Sequence, residues 1–153
     1  MARLTDFAEP MRSHLAGLPC QRLDGAPWAT GPALAERRVA LISTAGLQRR
    51  GDREFAIGAV DYRVIPGDIA AGDLIMSHVS TNFDRVGFQQ DWNVMFPLDR
   101  LREMAAAGKI GSVAAYHYSF MGATEPEAME STAHQLAGLL KQDRVDAAFL
   151  VPV

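Results

Sequence analysis

Cysteine is almost absent from this chain of 153 residues: Cys20 stands alone. A single thiol excludes an internal disulfide framework. Long apolar runs are absent as well. No stretch approaches the ~20 residues that a membrane helix needs. An excess of one charge is missing too. Fifteen Lys and Arg stand against eighteen Asp and Glu, a net charge of -3, with a pI near 5.8. That balance gives no electrostatic case for nucleic acid or an anionic membrane as partner. The first ten residues carry acids and lack an apolar h-region, so a secretory signal is not expected and the cytoplasm is. Internal repeats and low-complexity tracts are not found. What is present is ordinary for one globular domain with a real core: 48% apolar and 22% charged residues.

Residues 1–36 read as a lead-in segment and residues 37–153 as an α/β domain. Asp6 to Leu15 suits a short helix, with Pro10 near its start or kinking it. Pro19, Gly25, Pro27, Gly31 and Pro32 punctuate a loop. Trp28 in it is expected to pack against the domain. Arg38-Val-Ala-Leu-Ile-Ser-Thr44 is a continuous apolar run of strand length, which suits a strand covered on both faces. It feeds a turn, Ala45-Gly46-Leu47. The turn lacks the three-glycine spacing of a dinucleotide fingerprint.

Ala59 to Ile65 alternates and predicts a second strand, ended by Pro66-Gly67-Asp68. Leu74 to Ser77 predicts a third. Residues 78–97 form a connection long enough to be functional or to hide short structure. Pro97 opens a helix, Leu98 to Ala107, and Gly108 stops it. A further short strand or loop is expected within Ile110 to Ser119. Thr124-Glu-Pro-Glu127 has the pattern of a capping box. The helix it starts runs to about Gln142, with Met129, Ala133, Leu136 and Leu140 on its buried stripe. Val145 to Val153 predicts a final buried strand. Alternating strands and helices imply a mostly parallel sheet with helices on both faces, Rossmann- or flavodoxin-like. In such sheets chemistry sits beyond the carboxyl ends of the strands. A helix to cover the sheet after the last strand is missing, so the C-terminal part of the domain is expected to be absent.

Two histidines are candidates for catalysis. His78 directly follows the third predicted strand, where a histidine can be a base, a ligand or a hydrogen-bond donor. His117 lies in Tyr116-His-Tyr-Ser-Phe-Met-Gly122, among hydroxyls that an acid/base or anion site needs. Asp84 and Asp91 on the long connection could bind an amine or cap turns. Tyr118 and Ser119 complete the candidate substrate-binding set. A nucleophile made of Ser119 with His117 lacks an orienting acid and the strained glycine-serine-glycine elbow. A metal-dependent hydrolase or isomerase using His78, Asp84, Asp91 and His117 has suitable donors, but their spacing matches no tight motif, and no metal ligand is assigned. His14, His134 and Cys20 read as structural or incidental.

Four segments occur in a telling order: Asp91-Trp-Asn-Val-Met-Phe-Pro-Leu-Asp-Arg-Leu-Arg-Glu103, Gly108-Lys-Ile-Gly111, His117-Tyr-Ser-Phe-Met-Gly122 and Val145-Asp-Ala-Ala-Phe-Leu-Val-Pro-Val153. From about Val39 to Val153 the chain resembles the glycine, sarcosine, betaine and D-proline reductase family of selenoprotein B type, most of all its short D-proline-reductase-like branch. The resemblance implies reductive cleavage of a carbon–nitrogen bond in a small amine or amino acid. It also implies a selenocysteine or cysteine directly after the strand that ends at Val153, with electrons arriving from a dithiol. The 153 residues contain no cofactor-binding motif and stop just before that redox position. The chain is therefore expected to be truncated at a selenocysteine codon and to hold the scaffold without the nucleophile. Expected partners are the small substrate and a second copy or a reductase subunit. The alternative is a non-catalytic binding or accessory subunit of the same fold.

Overall fold

The computed structural model describes residues 3–19, 25, 27–80 and 85–153. The chain divides into two compact units, Met1–Thr30 and Gly31–Val153. In the first, a 3-10 turn at Leu4–Asp6 precedes helix α1, Met11–Ala16, with Pro10 as its N-cap. The helix starts later than the sequence predicts because the residue before a proline is pushed out of the helical region. Trp28 is not the expected anchor: it is 90% exposed.

The second unit is built around strand β1, Arg38–Ser43. Strand β7, Ala147–Val151, runs parallel to it on one side, from Val39↔Ala147 to Ser43↔Val151. On the other side lie β5, Ser112–Val113, and β6, Tyr116–Ser119, both parallel to β1. Strand β3, Arg63–Pro66, closes that side antiparallel to β6. The sheet is thus mixed and mostly parallel. A separate antiparallel ribbon pairs β2, Leu47–Arg49, with β4, Leu74–Met76. The turn after β1 therefore runs on into a strand, and the third predicted strand joins this ribbon rather than the sheet.

Successive side chains of a strand face opposite sides, and β1 shows it. Val39 and Leu41 join a core with Leu98 and Leu101 of helix α3, Leu98–Ala106. Ile42 packs instead with Tyr118, Phe120 and Leu136 of helix α4, Glu130–Gln142. One helix covers each face, as expected. Each buried leucine of α3 contributes roughly 1.5–3 kcal/mol by leaving water. Gly108, at φ +67, lets the chain turn away after α3. The connection 78–97 holds helix α2, Val86–Gln90, and a 3-10 turn, Trp92–Val94.

Four expectations on elements need correcting. The second predicted strand begins only at Arg63. The buried Arg63 guanidinium takes the carbonyls of Arg53, Glu54 and Tyr62 and the Asp61 carboxylate, which wraps the preceding chain into a loop. Thr124 is not a helix cap: its hydroxyl donates to Ala59 O at 2.9 Å, and a 3-10 turn at Pro126–Met129 precedes α4. Ala133 is exposed, and the buried stripe runs through Met129, Leu136, Leu139 and Leu140. Strand β7 is not a core strand. Among the described residues it pairs only with β1, with Phe149 45% and Leu150 63% exposed.

A bulge separates β5 from β6. Between the pairs Val39↔Val113 and Ile42↔Tyr118, β1 takes three steps and its partner five. The looped-out backbone takes the N–H groups of Ala115 and Tyr116 out of the ladder with β1. Asp143, just after α4, answers this. Its Oδ2 accepts from Ala115 N–H at 2.8 Å and Tyr116 N–H at 3.3 Å, while Oδ1 takes the Arg38 guanidinium at 2.6 Å.

Candidate functional site

At the carboxyl edge of the sheet, β1 ends in Ser43 and turns through Thr44-Ala45-Gly46. Gly46 has φ +63, and a Cβ there would lie 3.0 Å from the backbone of His78. Only glycine permits both the turn and that approach. Its N–H donates to Phe120 O at 2.9 Å, and its carbonyl accepts from Ser77 N–H at 2.9 Å. The turn thereby ties the ends of β4 and β6 to the end of β1.

Small polar side chains fill the space between them. Ser43 Oγ donates to Met95 O at 2.9 Å and accepts from Ala45 N–H at 3.2 Å. Ser119 Oγ accepts from Leu47 N–H at 2.8 Å. Ser77 Oγ donates to Gln48 Oε1 at 2.5 Å and accepts from Phe55 N–H at 3.0 Å. Thr44 Oγ1 accepts from Val153 N–H at 2.8 Å. Ser43, Gln48, His78 and Ser119 are buried. Of this web the sequence singled out only His78 and Ser119. Ser43, Thr44, Gln48 and Ser77 were missed, although their place beside strand ends was a usable signal.

His78 sits within the web. Its Nδ1 accepts from Ser80 N–H at 3.2 Å, which places the ring proton on Nε2 in the neutral form. Its carbonyl accepts from the Arg85 guanidinium. Burial first, and the Arg85 charge second, hold its pKa below the ordinary 6.5. A neutral imidazole here can donate through Nε2 or take a proton from an acid stronger than itself.

His117 is placed differently. It lies on β6, fully buried, at the end of the bulge and facing Leu41 of β1. Its Nδ1 accepts from Leu41 N–H at 2.9 Å, supplying the partner that the bulge removed from β1. Its Nε2 has no partner among the described residues, and the ring stands edge-on to Phe96 at 6.0 Å. Burial pushes its pKa down to about 4; Arg102 and Arg38 add to this and Asp143 opposes it. The ring is neutral at physiological pH.

The remaining candidates scatter. Ser119 shares the His117 face of β6, yet Oγ is engaged by Leu47 and Nδ1 by Leu41, so the two are not a bonded pair. Tyr118 points to the opposite face, against Tyr62 at 5.7 Å and Phe120. Asp91 is an exposed cap: Oδ1 accepts from Asn93 N–H at 2.9 Å and from Asn93 Nδ2 at 3.0 Å, and these bonds hold its carboxyl below the ordinary range. Asp84 and Cys20 lie outside the described residues. Among the described residues, no three His, Cys, Asp or Glu side chains gather as metal ligands. No helix among them is long and apolar enough to cross a membrane.

A mostly parallel α/β sheet with a tightly tied, polar carboxyl edge defines a class of domains that hold chemistry at their strand ends. Within that class the match is specific. Residues 28–152 fit the glycine/sarcosine/betaine reductase selenoprotein B family, and the chain belongs to it. The chain is 35% identical over 120 residues to D-proline reductase subunit gamma of Acetoanaerobium sticklandii, covering 76% of this chain and 49% of that protein. It is 39% identical over 74 residues to betaine reductase complex component B subunit beta of Peptoclostridium acidaminophilum, covering 47% of this chain and 17% of that protein. The chain thus spans about half the length of the first relative and less of the second. No solved structure matches it.

Proposed function

We propose that this chain is the scaffold portion of a selenol- or thiol-dependent reductase subunit that cleaves a carbon–nitrogen bond in a small amine or amino acid. The observation that carries the reading is the family match across residues 28–152. The two relatives support it, since both are named as subunits of reductases. Sequence corresponding to the unmatched half of D-proline reductase subunit gamma would complete the domain, in a Rossmann- or flavodoxin-like arrangement, and a cytoplasmic location goes with this reading.

In balanced form, a C–N bond becomes C–H and N–H while a dithiol becomes a disulfide. A selenocysteine or cysteine after Val153 would supply the polarisable nucleophile for that exchange. The residues at the strand end fit such a group. Thr44 and Gly122 meet Val153 there through hydroxyl and backbone groups. His78 is the better supported histidine for proton handling at this edge, because His117 Nδ1 is committed to the backbone of β1. Asp84 and Asp91 remain candidates for contacting a cationic amine, and Tyr118 and Ser119 for holding its neighbourhood.

Reading the coding sequence past the Val153 codon tests this directly. The expected result is an in-frame continuation through a selenocysteine or cysteine codon into a helix. Its product should release amine from a panel of small amines and amino acids when supplied with dithiothreitol. A closed reading frame with no such residue sinks the proposal. The second reading, an accessory subunit, is favoured by one feature, the exposed apolar edge at Phe149 and Leu150. It predicts co-purification with a reductase and no amine release by the chain alone.

A further inference from the structure

The last rung of the sheet is built differently from those before it. In a parallel pair, a residue sends both its N–H and its C=O to the same neighbouring strand. Thr44 donates its N–H to Val151 O at 3.1 Å, as that ladder requires. Its carbonyl then turns to the other side and accepts from Gly122 N–H at 2.8 Å. The rung at Val153 is completed by the side chain. Thr44 Oγ1 accepts from Val153 N–H at 2.8 Å and donates to Val153 O at 3.3 Å. Gly122 closes the seat from the far side. A Cβ there would lie 2.6 Å from Val153 O and 2.8 Å from Thr44 O, closer than real atoms approach.

We propose that Thr44 is a positioning residue for the group borne by the residue that follows Val153. Its hydroxyl extends the β1–β7 ladder by one rung and so sets the direction in which the chain leaves the sheet. Gly122, having no Cβ, leaves room for the backbone of Val153 on that side. This role rests on the reductase reading above. The nearest conservative changes separate it from packing: Thr44→Val keeps the branched shape and removes both bonds, and Thr44→Ser keeps the hydroxyl.

Two measurements test it. In the 153-residue chain, amide hydrogen exchange is read at Val153 by NMR. Thr44→Val should speed exchange about tenfold, the scale of one lost net hydrogen bond, and Thr44→Ser should restore protection. The Leu41 amide, held by His117, serves as a control for intact folding. Equal exchange at Val153 in wild type and Thr44→Val overturns the proposal. In the product translated past Val153, alkylation of the chalcogen by iodoacetamide is followed against pH. Thr44→Val should move the midpoint upward and Thr44→Ser should return it. A reactive wild type whose midpoint does not move in Thr44→Val overturns the positioning role alone. A wild type with no alkylatable group besides Cys20 overturns the reductase reading, and the role of Thr44 toward that group falls with it.

Discussion

His117 carries two consequences that follow from one atom. Its Nδ1 stands in for a strand partner, so the ring must stay neutral for the bond from Leu41 N–H to survive. The folded ring titrates at about 4, against an ordinary 6.5. Above pH 6.5 both folded and unfolded chains hold it neutral, and it adds no pH dependence. Between 6.5 and 4 the unfolded chain takes up a proton that the folded chain refuses, so stability is lost as pH falls through that window. At ~1.4 kcal/mol per pH unit the full loss is about 3 kcal/mol. Urea unfolding at several pH values between 4 and 7 should show this slope. His117→Asn keeps an acceptor near the Nδ1 position and cannot titrate in that range, so most of the slope should vanish, whatever the variant's stability at pH 7. An unchanged slope would place the titration elsewhere. The sequence marked His117 as a site because of its neighbours. It could not show that a bulge leaves Leu41 N–H without a backbone partner, since that vacancy exists only once two strands of unequal step are paired.

At the scale of elements, the chain shows which patterns survive translation into structure. The run from Arg38 to Ser43 became the central strand because apolar residues on both its faces are each met by a helix. Proline before Leu98 and glycine after α3 set that helix within a residue of its expected ends. Strand β7 has an equally apolar sequence and landed at an edge. Composition reports that a strand is sticky, not how many neighbours it has. Of the ribbon, β4 was read as a strand but not its partner: β2, Leu47–Arg49, is three residues long and carries too little alternation to read.

The bulge between β5 and β6 depends on one distant residue, Asp143. Burial raises its pKa, but the Arg38 guanidinium and the N–H groups of Ala115 and Tyr116 outweigh that and hold it below the ordinary 3.8. Its contribution is therefore complete above 3.8 and is lost as pH falls through the folded value. Asp143→Ala removes an anion that two backbone donors and one arginine share. The expected loss is about 1.5–3 kcal/mol at pH 7, seen as a melting temperature lower by several degrees. The deficit relative to wild type should shrink at pH values below the folded pKa. A variant that melts with wild type at pH 7 would mean that water replaces the carboxylate without loss.

For the whole molecule, the open side of the sheet outweighs any single contact. Among the described residues no strand pairs with the outer edge of β7, and exposed edges invite pairing with another chain unless charge or proline blunts them. From Ala147 to Val151 the strand carries no charge. Its two faces are covered unequally. On the α3 side Ala147, Val151 and Val153 pack against the core, whereas Leu150 faces the α4 side and belongs to neither core cluster. A leucine that moves from this exposure to full burial gains roughly 1.5–3 kcal/mol, and Phe149 beside it gains a similar amount. An apolar cavity of about 250 Å³ between Leu34, Leu101, Met104 and Phe149 continues the same surface. The 153-residue chain should therefore associate as its concentration rises, with β7 as the contact. Sedimentation velocity over a range of concentrations reads this. Leu150→Lys places a charge on the edge at a site where the side chain supports nothing. It should return the chain to a monomer while leaving its melting temperature within about 2 °C, as expected for a surface change away from core features. If Leu150→Lys associates as strongly as wild type, the contact lies on another surface and the edge is covered from within the chain's own solution structure.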